Sequence, residues 1–96
     1  MKTVSQDHWR LEYGGGVATL TCDGAPIAQE GSAFFARCPF QIPEECRPAS
    51  RIGTSAIMGA SSVTGIIIVN GPSAYAVCYD QAGLSVNIAT ITWRYQ

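Results

Sequence analysis

From Val17 to Cys22 the chain alternates. Val17, Thr19 and Thr21 fall on one side of an extended segment, and Ala18, Leu20 and Cys22 fall on the other. That two-residue period predicts a strand with one buried face. The run Ser32 to Phe40 repeats it, with Phe34, Ala36, Cys38 and Phe40 on one face and Ala33, Phe35 and Arg37 on the other. Pro39 restricts the end of that run to an edge or a bend. Further extended runs are predicted over Trp9 to Tyr13, Arg51 to Ala60, Val63 to Asn70, Ala74 to Asp80 and Leu84 to Tyr95. Gly14-Gly15-Gly16, Asp23-Gly24, Asn70-Gly71-Pro72 and Asp80 to Gly83 separate them as turns. No window of a dozen residues keeps a helical period without glycine or proline interrupting it.

Seven to eight short strands at intervals near ten residues predict an all-β, antiparallel domain, a single compact β-sandwich or barrel. The length of 96 residues fits one domain with one core. Residues 1–8 are expected to be an N-terminal linker, native or appended, and residues 9–96 the folded domain. No apolar stretch follows Met1 and Lys2, so no signal peptide is read there, and the chain is expected to begin in the cytosol or to be cut from a longer protein. Purely apolar runs such as Ile66 to Val69 are too short for a membrane-spanning helix of about 20 residues.

Charge changes the picture most. Charged residues make up 14% of the chain, against about 25% in an average soluble domain. Between Ile52 and Trp93 only Asp80 is charged. A sheet with one solvated face normally carries charge on that face. The outer face of these strands is therefore expected to be covered as well, by other copies of the chain. The net charge of −1, without a basic cluster, excludes nucleic acid as a partner.

Little in the chain suggests catalysis. His8 is the single histidine and lies near the terminus. Glu44 and Glu45 are adjacent and would point to opposite sides of an extended segment, so they form no acid/base pair. The four cysteines, Cys22, Cys38, Cys46 and Cys78, contain no CxxC spacing, which argues against zinc; they are expected to be free, buried thiols rather than disulfides. No catalytic residue, metal or other cofactor is assigned. The candidate ligand-binding residues are Tyr75, Tyr79 and Asp80: the two rings share a face, and Asp80 stands at the loop edge. Trp9 and Trp93 are expected to pack in the core or a subunit interface. The stretch IPEECRPAS, Ile42 to Ser50, reads as a solvated crossover stiffened by Pro43 and Pro48, with Arg47 pairing to Glu44, Glu45 or a neighbouring subunit.

The order of features is also familiar. Trp9, Gly16-Val17-Ala18-Thr19-Leu20, Pro43-Glu44-Glu45-Cys46-Arg47-Pro48, Thr64 to Asn70 and Ile88 to Trp93 follow one another. In this order they resemble the C-terminal receptor-binding head domains of tailed-phage tail fibres and baseplate proteins. The resemblance implies a jelly-roll-like sandwich assembled as a homotrimer at the virion tail tip, made in the host cytoplasm. It implies attachment to a host-surface saccharide or other surface receptor without catalysis, and contact with other tail or baseplate proteins. The family's glycine-aromatic step before Arg-Pro is replaced here by Glu45-Cys46, and four cysteines exceed the family's pattern. A purely structural trimerisation or capping module is the alternative reading, and a small glycan hydrolase is a third.

Overall fold

The computed structural model describes residues 1–58, 63–78 and 85–95. Among these residues there are nine strands: β1 (Lys2–Gln6), β2 (Trp9–Gly14), β3 (Val17–Asp23), β4 (Ala28–Glu30), β5 (Ala33–Arg37), β6 (Ile52–Met58), β7 (Val63–Asn70), β8 (Ser73–Cys78) and β9 (Val86–Arg94). The one helical element among them is a 3₁₀ turn, Glu44–Cys46. No helix of the described residues is long and apolar enough to cross a membrane.

All nine strands join in one antiparallel sheet of order β1-β2-β3-β9-β6-β7-β8-β5-β4, curled into a half-barrel. The expected all-β antiparallel class is therefore what the chain adopts. The segment expected to be a linker is instead β1, paired along β2 from Lys2↔Tyr13 to Gln6↔Trp9. Its turn is tight because Asp7 takes a left-handed φ of 54°, which aspartate tolerates better than most residues. At the next hairpin Gly15 and Gly16 hold φ of 60° and 83°, the freedom that the triple glycine supplies.

The alternation read in the sequence sets the inner face. Ala18, Leu20 and Cys22 are buried, while Val17 and Asp23 are exposed. Trp9, Leu11 and Tyr13 from β2, Ala89, Ile91 and Trp93 from β9, Ile67 and Val69 from β7, and Phe34 and Ala36 from β5 meet them in one core. Fully burying one such Leu or Ile side chain contributes about 1.5–3 kcal/mol.

A half-barrel leaves one side open, and Ile42 to Pro48 closes it. Ile42 and Cys46 are fully buried, each 0% exposed. The turn is fixed by Cys46 N–H donating to the Pro43 carbonyl at 3.1 Å, and Ile42 N–H donates to the Pro72 carbonyl at 2.9 Å. Trp93 Nε1–H donates to the Cys46 carbonyl at 2.6 Å. The stretch is thus a plug, not the solvated crossover expected. Glu44 and Glu45 stay in water, while the apolar side chains between the charges turn inward. Nor does Arg47 pair with either glutamate. Its Nε–H donates to the Ile42 carbonyl at 2.9 Å, and Glu45 bonds Lys2 at 2.9 Å and the Tyr13 hydroxyl at 3.3 Å.

Candidate functional site

Tyr75 lies on the outer face of β8, half-buried. The register of β5 against β8 sets Phe35 opposite Val77 and Arg37 opposite Tyr75. Opposed residues of paired strands share a face, so Phe35, Arg37, Tyr75 and Val77 form one outward cluster. The Phe35 and Tyr75 rings meet edge to face, 5.6 Å apart at 61°. Arg37 lies over the Phe35 ring, its guanidinium 4.5 Å from the centroid, and 5.7 Å from that of Tyr75.

Arg37 reaches back along β5 to Glu30 on β4. Its Nε–H and Nη2–H donate to the two carboxylate oxygens at 3.1 and 2.8 Å. This two-point grip matches the planar fork of the guanidinium. The bond to Arg37 holds the Glu30 carboxyl below its ordinary value, and the bond to Glu30 raises Arg37. Both groups are therefore ionised at neutral pH. The grip also fixes a charged side chain flat over an aromatic ring, which limits its motion without removing it from water.

Two clefts flank the cluster, with Arg37 and Pro39 in the wall of each. The smaller, about 160 Å³, is bounded by Phe40, Gln41, Pro72, Ser73 and Tyr75. The larger, about 280 Å³, is bounded by Asp7, His8, Trp9, Ala25, Pro26 and Ala36. His8 is exposed, and its Nδ1 stands 3.1 Å from the Asp23 carbonyl oxygen. Together the clefts offer carboxylate, imidazole, amide and hydroxyl groups beside aromatic rings. Apolar walls with a few polar groups suit binding of a small polar molecule.

Of the residues singled out in the sequence, Tyr75 sits in this cluster, and Tyr79 and Asp80 lie outside the described residues. Trp9 and Trp93 are buried, 2% and 6% exposed. Pro43, Arg47 and Pro48 are half-buried in the plug. Phe35, Arg37 and Glu30 were not proposed as site residues. The outward series Ala33, Phe35, Arg37 signalled them, an aromatic and a cation two apart on one face.

The four cysteines are free. Burial pushes the Cys22 thiol up to about 12 and the Cys38 thiol up to about 11, and it raises Cys46 as well. These groups stay protonated at neutral pH and lack the thiolate character that a nucleophile needs. Among the described residues, no three His, Cys, Asp or Glu side chains gather as a metal site would require. Comparison of the chain with protein-family models, with curated proteins and with solved structures finds no match.

Proposed function

We propose that this chain is a non-enzymatic receptor-binding head of a phage tail fibre or baseplate, which attaches the virion to a host-surface saccharide. One observation carries the reading: the outward Phe35–Tyr75–Arg37–Glu30 cluster, with Arg37 and Tyr75 in the wall of one cleft and Arg37 in the wall of a second. Aromatic faces accept the apolar side of a sugar ring, and a fixed ion pair offers both donors and acceptors to its hydroxyls. The chemistry is recognition, and it calls for no cofactor.

The finer architecture belongs to the same proposal. The jelly-roll-like sandwich is read as the two ends of the curled sheet packed across one core, supported by the shared cluster of β2, β3, β5 and β8 side chains. The homotrimer is supported by the outer face of β6 and β7. Ile57 and Ile66 are 47% and 44% exposed there, and Ile88 of neighbouring β9 is 57% exposed. Those same isoleucines favour a second reading, a virion module that trimerises or caps a fibre and binds no ligand. A glycan array and host-cell adsorption separate the two. Binding that disappears in Tyr75→Ala supports the receptor head, while an intact trimer that binds no host surface supports the scaffold. A monomer at micromolar concentration, measured by light scattering, would sink the trimer.

A further inference from the structure

The molecule has six basic side chains, and among the described residues three of them form ion pairs: Lys2 with Glu45, Arg10 with Glu12 and Arg37 with Glu30. Arg47, Arg51 and Arg94 make none there. Two of these, Arg47 and Arg94, line one cleft of about 460 Å³ together with Ala49 and Tyr95, and among the described residues no carboxylate lines it. The cleft lies where the plug meets the end of β9.

We infer that this cleft is an oxyanion-binding site, which takes a carboxylate or phosphate group between the two guanidiniums. Arg47 is prepared for that role. Its Nε–H is already used on the Ile42 carbonyl at 2.9 Å, which aims the rest of the fork and leaves its four terminal N–H donors for a ligand. The backbone carrying it is flanked by Pro43 and Pro48 and tied down by the Trp93 bond to the Cys46 carbonyl. Tyr95 is half-buried, set edge to face on Tyr13 at 6.4 Å and 72°, and its backbone N–H donates to the Gly16 carbonyl at 3.0 Å. Of the two arginines, Arg94 is the exposed one. One arginine held by the backbone and one exposed at the rim together present donors to an anion in the cleft. Guanidinium is the preferred cation for such planar, two-point contacts.

The site is tested on the full chain by amide NMR titration with sodium phosphate and, separately, with galacturonate, each against sodium chloride at equal ionic strength. Saturable shifts confined to Arg47, Ala49, Arg94 and Tyr95 are expected. Arg94→Gln, a surface change, is expected to weaken binding about tenfold, as for loss of one charge-assisted bond, and Arg94→Lys to restore part of it. Stronger binding of phosphate or of galacturonate identifies which oxyanion the cleft prefers. Shifts that chloride reproduces, that fail to saturate, or that persist unchanged in Arg94→Gln would overturn the inference.

Discussion

Two places in this molecule combine the same ingredients, an aromatic pair, an arginine and a glutamate. At the plug, Tyr13, Tyr95, Trp93, Arg47 and Glu45 surround Cys46. On the outer face, Phe35, Tyr75, Arg37 and Glu30 gather over β5 and β8. The difference lies in what the polar groups bond. At the plug the indole N–H and Arg47 Nε–H both end on backbone carbonyls, so the side chains hold a loop in place. On the outer face, arginine and glutamate bond each other and stay open to water, over half-buried rings that pack on Ile68 and Val77. Residue type therefore does not separate a structural cluster from a recognition surface. The partner of each polar atom, and its burial, does, and Arg47 does both: its Nε–H holds the loop while its terminal N–H groups face the cleft it shares with Arg94.

The sharpest break of that comparison is Trp93→Ala. Loss of a buried ring together with its bond to the plug is expected to cost about 3–5 kcal/mol, measured by urea unfolding, and a loss below 1 kcal/mol would contradict the structural role. Alkali probes the interior next. The unfolded thiols ionise near the ordinary value of 9.0, whereas folded Cys38 and Cys22 hold their protons to about 11 and about 12. Stability is complete below pH 9 and falls as pH rises toward those values, by about 1.4 kcal/mol per pH unit for each thiol. Cys22→Ala should flatten that slope, and an equal slope in the variant would remove Cys22 as its source. Trp93→Phe keeps one aromatic ring in the core but leaves the Cys46 carbonyl without its donor, an expected cost of about 1–3 kcal/mol by the same unfolding measurement.

The outer cluster should behave differently. Tyr75→Ala is expected to cost about 1–2 kcal/mol of stability, well below Trp93→Ala, since a half-buried ring and its edge-to-face contact are lost, and to lower saccharide affinity about tenfold, or about 1.4 kcal/mol. A large loss of stability in that variant would place the cluster with the plug instead. The smallest effects belong to the exposed ion pairs. Glu30 and Glu45 are both held below the ordinary 4.5 by their cationic partners. Their contribution is present at neutral pH and is lost as pH falls through the depressed values. Added salt should mask it, which a pH series at low and high ionic strength would show.

Strands with a clean two-residue period were legible in the sequence. Val17 to Cys22 and the alternating faces of β5 and β9 are of this kind. The edges were not. β1 points Lys2, Val4 and Gln6 toward the inner side, a single apolar residue among them, and β4 is three exposed residues long. Both are held by pairing to a neighbour rather than by their own pattern. The plug was half legible: the prolines marked a stiff segment, but the charges around Cys46 hid the inward turn of Ile42 and Cys46. Tyr75 was legible as a candidate. Its companions were not, because Arg37↔Tyr75 and Phe35↔Val77 are joined by strand register across a long stretch of chain, which no local motif encodes.

The position of β9 has a consequence for how the chain reaches this form. It is the last of the nine strands in chain order, yet it sits in the interior of the sheet, between β3 and β6. Within the β1–β2–β3 and β6–β7–β8 meanders the strands pair in sequence order and can assemble early, with β8 also taking β5 on its free edge. They become one sheet only when β9 docks, and its pairing of Val17 with Arg94 spans 94 − 17 = 77 residues. Loops of that length close late, and sheets dominated by such pairings fold on the millisecond-to-second scale. During synthesis the two meanders would wait with unpaired β3 and β6 edges until the final strand arrives, and that interval is when the chain is most exposed to association with the wrong partner.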